Sequence, residues 1–174
     1  MYLGHVGIAL AVKGVRRDIA FLVLLVATYA SDWIDSGLCL AGAYDPLGMI
    51  SHSLPAVAVL SAIAVIAYGV RTRDLAGGLI VAGVVFSHIL LDFVTGYKPT
   101  WPGGPVLGLG LYSHPVKDLV LESLIIILGV ALYGRSLPAR SRPWIDVALM
   151  AGTLILMQGA VTLVHALTVA LPKC

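Results

Sequence analysis

The stretch Phe86-Ser87-His88-Ile89-Leu90-Leu91-Asp92-Phe93-Val94-Thr95-Gly96 decides how the rest of the chain is read. It closes an apolar run that begins at Leu75, and a helix over residues 75–95 is long enough to cross a bilayer. His88 and Asp92 stand four positions apart, so their side chains share one helix face, a turn from each other. A carboxylate in hydrocarbon costs roughly 2.5–3.5 kcal/mol on insertion scales and therefore turns toward a partner or a polar cavity. Two readings are open at this point. The pair either ties two helices together or forms half of a metal site built from helix side chains.

Composition sets the setting. The 174 residues are 59% hydrophobic and 11% charged, with a mean hydropathy of +0.98. Soluble domains carry about a quarter of their residues charged, so this composition predicts an integral membrane protein of one domain over residues 1–174. A net charge of +2, spread along the chain, gives no basis for nucleic-acid binding. Cys39 and Cys174 match no zinc motif. No cleavable signal peptide is expected, because the first apolar stretch precedes Lys13, Arg16 and Arg17.

The pattern predicts an all-α bundle of five full crossings plus one N-terminal half-span. Leu3 to Val12 covers only about half a bilayer as a helix, which makes it a half-span or re-entrant segment packed on protein. The crossings are expected over 19–35, 52–70, 75–95, 119–133 and 144–171, with Pro115 and Pro143 at helix starts. Long loops with Gly37, Gly42, Pro46 and Gly48, and with Tyr97, Trp101 and Tyr112, separate them. The aromatic residues suit a membrane interface, where Lys98 and Lys117 could attract an anionic headgroup but are more readily expected to be solvated. The short turns hold Lys13, Arg16, Arg17, Arg71, Arg73, Arg135, Arg140 and Arg142, against Lys98, Lys117 and Lys173 on the other side. This excess places the short turns on the cytoplasmic side of a multi-pass membrane protein.

That topology tests the His88–Asp92 pair. At about 1.5 Å per residue His88 lies roughly 20 Å from the cytoplasmic end of its helix. Asp32 and Asp35 fall at the outer end of the first crossing, His52 and His114 at the outer starts of the second and fourth, and His165 near the outer end of the fifth. His5 is in the outer half of the half-span, and Glu122 lies about 12 Å below His114. Histidines and intramembrane acids thus gather in the outer half of the bilayer. Scattered structural pairs have no reason to do so, which favours a metal centre.

Five candidate ligands, His5, Asp32, His52, His88 and Asp92, exceed what one tetrahedral ion with an open water position needs. Two ions bridged by Asp32 or Asp92 are therefore admitted. A mixed imidazole–carboxylate set suits a divalent metal, zinc first, with manganese or iron as alternatives. Glu122, deepest among apolar neighbours, is a candidate ligand, orienting group or general base; otherwise it caps a helix or pairs with another buried polar group. His114 reads as a helix-start residue and His165 as an interfacial or orienting one. Cys39 and Cys174 both fall outside, where an oxidising compartment permits a disulfide.

These residues compose a larger pattern: Gly4-His5, Asp32 with Asp35, Ser51-His52-Ser53, His88-x-x-x-Asp92 followed by Thr95-Gly96, Trp101-Pro102, and Leu111-Tyr112-Ser113-His114-Pro115 with Glu122. The pattern resembles the YdjM-type family of prokaryotic inner-membrane proteins, described as metal-dependent hydrolases, over residues 4 to about 122. It is more distantly similar to the His-x-x-x-Asp ligand helix of zinc-dependent phospholipase C. The family commonly has Pro-Asp-x-Asp, whereas Ser31-Asp32-Trp33-Ile34-Asp35 displaces the second carboxylate by one position. Gly48-Met49-Ile50 also lacks the basic residue that usually precedes the Ser-His-Ser. Asp32 is accordingly a ligand candidate, while Asp35 joins Glu122 as a candidate catalytic group.

The leading expectation is a membrane-embedded hydrolase that uses metal-activated water on a lipid ester or phosphoester near the outer leaflet. The alternative is an ion- or proton-coupled transporter built on the same His/Asp/Glu cluster. Against it, the ionisable residues stop in the outer half and no inverted repeat is visible. A haem protein is disfavoured by the acids beside each histidine, and five candidate ligands exceed what a purely structural metal needs.

Overall fold

Helices that meet through glycine set the architecture. The structure is a computed structural model that describes residues 2–43, 48–138 and 144–168. Pro46, Arg140, Arg142, Pro143, Leu171, Lys173 and Cys174, which enter the expectations above, lie outside those residues. The described chain is all-α with eight α-helices and one two-stranded hairpin. It divides into two compact units, Met1–Leu24 with Leu111–Lys173, and Leu25–Gly110 with Cys174.

In the first unit, helix α1 (Gly4–Val15) lies on α7 (Pro115–Ser136), which also packs on α8 (Trp144–Thr168). A Cβ on Gly7 would stand 2.7 Å from the Ile125 carbonyl oxygen, and one on Gly14 2.7 Å from that of Leu132. The two backbones therefore touch, the packing that small residues permit where apolar burial cannot drive association. Leu10, Ile126 and Val130 are buried at the centre of this unit, flanked by Val6, Val147 and Leu154.

A half-length helix begins with N–H groups that need acceptors. Glu122 accepts from the Tyr2 and Gly4 N–H groups at 3.0 and 2.9 Å, and Gln158 Oε1 from Leu3 N–H at 2.9 Å. In the turn after α1, Arg16 donates to Asp18 at 2.9 and 2.6 Å and holds that carboxyl down to about 2.

In the second unit, helices α5 (Leu54–Thr72) and α6 (Leu75–Thr95) form an antiparallel pair. Asp74 caps α6 by accepting from Gly77 N–H at 2.9 Å. The expected first crossing is broken: α2 (Phe21–Thr28), whose last residues open this unit, and α3 (Ala30–Leu40) meet at 59°. At the break the Thr28 carbonyl accepts from His88 Nδ1 at 2.7 Å, so a side chain engages the backbone where the helix bends.

A single turn, α4 (Met49–His52), follows Gly48, whose φ of +66° a side chain would strain. Beyond α6 the chain folds back as the hairpin β1 (Lys98–Pro99) and β2 (Val106–Leu107), with Lys98 opposite Leu107. Gly108 allows the return, since a Cβ there would overlap the Gly96 carbonyl oxygen.

Three helices, α5, α6 and α8, are long and apolar enough to cross a membrane, or four if the bent α2–α3 pair counts as one span. These helices mark a membrane protein. The half-span is found as the 12-residue α1. The segment expected to cross over 119–133 is a helix, α7, but it carries Lys117, Asp118, Glu122 and Arg135 and is not among the apolar spans of the described residues, so five full crossings are not shown. Cys39 is disulfide-bonded.

Candidate metal centre

Three segments of the second unit bring their polar side chains to one place. Helix α6 supplies His88 and Asp92 from one face, as their spacing requires, and both are buried. Helix α3 supplies Asp32 and Asp35, a turn apart, beyond the bend at Thr28. The α4 turn supplies His52 between two serines with separate tasks. Ser53 Oγ donates to the Met49 carbonyl at 2.7 Å and caps α5 by accepting from Ala56 N–H at 3.4 Å. Ser51 donates to Asp35 in a short hydrogen bond and lies 2.7 Å from His52 Nδ1.

Three ligand atoms converge, Asp32 Oδ1, His52 Nε2 and His88 Nε2, and Asp92 Oδ2 stands beside the two histidine nitrogens. His52 Nε2 is 3.3 Å from Asp32 Oδ1 and 3.5 Å from Asp92 Oδ2; His88 Nε2 is 3.5 Å from each of these oxygens. The two Nε2 atoms are 3.1 Å apart. A tetrahedral zinc ion with bonds of about 2.0–2.1 Å spaces its ligand atoms by about 3.3–3.4 Å. The observed separations match that spacing.

The donor chemistry agrees. Thr28 offers His88 only a carbonyl oxygen, so Nδ1 carries the proton there and the neutral ring turns its Nε2 lone pair inward. His52 Nδ1 faces Asp35 Oδ2 at 3.1 Å, and a carboxylate only accepts, so this ring too points an Nε2 lone pair at the same spot. Two imidazole lone pairs and the carboxylate oxygens at such distances repel one another unless a proton or a metal ion stands among them. The His/Asp group formed by Asp32, His52 and His88 could hold a metal ion, and Asp92 Oδ2 lies 3.5 Å from each of its histidine nitrogens. Asp35 and the Thr28 carbonyl orient the two imidazoles from behind, as acceptors behind metal-bound histidines do.

Electrostatics follow from this arrangement. Burial alone would lower the pKa of His52, but Asp32 and Asp35 outweigh it and hold the imidazole above its ordinary 6.5. The centre opens on one side: the Asp32 side chain is 44% exposed and Asp35 34%, against 1% for each histidine and 5% for Asp92.

Asp32, Asp35, His52, His88 and Asp92 therefore come together. His5 is buried on α1 and Glu122 on α7, both in the first unit. There Glu122 caps the start of α1 with both oxygens, a demand that a half-length helix creates and that its spacing from His114 did not reveal. His114 is the residue before α7, and His165 Nδ1 meets the Tyr2 hydroxyl at 2.9 Å.

Lys98, expected in solvent, instead sets its Nζ 3.0 Å from Asp92 Oδ2 with only 22% of its side chain exposed. The signal was present: Thr95-Gly96 stops the helix, so residue 98 can fold back over Asp92. Ser51 entered only as part of Ser51-His52-Ser53, with no role given to it, and the Thr28 carbonyl has no sequence signature of its own.

No protein-family model, curated protein or solved structure matches this chain.

Proposed function

We propose that this protein is a membrane-embedded, metal-dependent hydrolase that cleaves an ester or phosphoester bond of a lipid. The observation that supports this most is the convergence of Asp32 Oδ1, His52 Nε2 and His88 Nε2 at metal-ligand spacing beside an open face. A divalent ion bound there supplies a Lewis acid and a water acidic enough to be hydroxide near neutral pH. The chain would hold that ion with Asp32, His52 and His88, with Asp92 beside the two histidines, and keeps the imidazoles in register through Asp35, Ser51 and the Thr28 carbonyl. A set of imidazole nitrogens with carboxylate oxygen would favour zinc, with manganese or iron as the other fits.

The lipid substrate follows from placement. The ligands His88 and Asp92 ride near the Gly96 end of an apolar spanning helix, where a headgroup linkage reaches them more readily than a soluble molecule does. The excess of basic residues in the short turns orients that end outward from an inner membrane. The resemblance to YdjM-type proteins accords with this reading.

Metal analysis of the detergent-purified chain, with a lipid-hydrolysis screen run with and without chelator, tests it. The expected result is about one zinc per chain and hydrolysis that chelator abolishes. Absence of zinc, manganese and iron, with a His88→Ala variant indistinguishable from the parent, refutes it.

A further inference from the structure

We infer that Lys98 adapts this centre to a phosphate monoester, the doubly charged group that a carboxyl ester and a phosphodiester lack. The inference rests on the hydrolase reading and narrows its substrate.

Lys98 is held in place by backbone. The hairpin that carries it is closed by Thr100 N–H and Thr100 Oγ donating to the Pro105 carbonyl at 3.1 and 2.7 Å. It is fastened to α5 by Leu54 N–H on the Thr100 carbonyl at 2.9 Å, and to the end of α6 by Leu109 N–H on the Phe93 carbonyl at 2.7 Å. The ammonium is thus anchored to the helix that bears Asp92 and to the one that begins just after His52.

Its partner oxygen, Asp92 Oδ2, is the oxygen that faces both histidine Nε2 atoms at 3.5 Å. Nζ is therefore one atom removed from the two histidine nitrogens of the candidate metal group. An ammonium has three N–H donors, and Asp92 Oδ2 engages one. With part of the side chain exposed, the others are within reach of a ligand entering from the open face.

The charges point the same way. Hydrolysis of a carboxyl ester develops one oxyanion, which a single metal ion can stabilise. A phosphate monoester presents several charged oxygens, and sites for it pair the metal with Lys or Arg. Asp32, Asp35 and Asp92 would repel such a group, and among the described residues of this unit Lys98 is the cation paired with the cluster. The shared chemistry is a phosphate monoester, whether free or as a lipid headgroup.

The test measures binding on the detergent-purified full chain carrying stoichiometric zinc, by calorimetric titration. Inorganic phosphate is one probe; vesicles of phosphatidylcholine with or without phosphatidic acid are the others. The parent is expected to bind phosphate. Lys98→Ala is expected to weaken that binding at least tenfold at unchanged zinc content, and Lys98→Arg to restore it to within a few-fold. Phosphatidic acid binding that falls in parallel assigns the group to a lipid. Phosphate binding without phosphatidic acid binding keeps the inference but removes the lipid substrate. Equal phosphate affinity in parent and Lys98→Ala, with zinc retained, overturns the role of Lys98 alone. A parent that takes up no metal overturns the hydrolase reading and this inference with it.

Discussion

Replacing Gly129 by alanine probes the contact on which the first unit is built. A Cβ at this position would lie 2.0 Å from the Gly7 carbonyl oxygen, 2.6 Å from its carbon and 2.8 Å from its Cα. All three obstacles are backbone, so no rotamer change relieves them. Ordinary contact begins near 3.4 Å, which leaves the methyl about 1.4 Å too close, and α1 must move off α7 by a distance of that order. Overpacking of this kind costs typically 1–3 kcal/mol, and here it also strains the hydrogen bonds from Glu122 to the start of α1.

Helix propensity acts in the opposite direction, since Gly→Ala inside a helix gains roughly 0.5–1 kcal/mol. Gly152→Ala on α8 isolates that gain, because no atom lies within 4 Å of the added methyl. Thermal unfolding of both variants in one detergent should show Gly152→Ala at or above the parent. Gly129→Ala should fall below it, by roughly 2–4 °C per kcal/mol for a chain of this length. Equal melting temperatures for the two variants refute the backbone contact between α1 and α7.

Other outcomes follow from the candidate site and its surroundings. Asp35→Ala removes the acceptor behind His52 and should weaken zinc binding about 10–100-fold without abolishing it, as competition with a chelating dye would measure. Zinc affinity should fall steeply as pH drops through the raised pKa of His52, because each imidazole must lose a proton to bind metal. In the metal-free protein the sign reverses. A raised folded-state pKa contributes stability that is full below about 6.5 and is lost as pH rises through the raised value, so melting curves with chelator and with zinc should diverge as pH rises. Glu122→Ala leaves the Tyr2 and Gly4 N–H groups without their acceptor at about 1–3 kcal/mol for each buried donor, whereas Glu122→Gln, which keeps an acceptor oxygen, should lose less; melting temperatures rank the two.

Much of the fold was legible in the chain because hydrocarbon tolerates few solutions. Apolar runs of bilayer length must be helices, and the run from Leu75 to Thr95 is found as one helix with those bounds. The short apolar run near the start is a short helix for the same reason. The bend at Thr28 was not legible, since α2 and α3 form one hydropathic stretch. It arises from a carbonyl claimed by a side chain sixty residues away.

Residue type and helical spacing alone singled out His88 with Asp92 as one face, and Asp32, Asp35 and His52 as polar groups at the same depth. Periodicity orders side chains within a helix but carries no information about neighbours across a bundle. Only the tertiary structure decided that Asp32, His52 and His88 atoms meet at 3.1–3.5 Å, that Asp35 stands behind His52, and that Lys98 turns back onto Asp92. It likewise gave Glu122 to the start of α1, because unsatisfied N–H groups take the nearest acceptor, and nearness is a property of the packed chain.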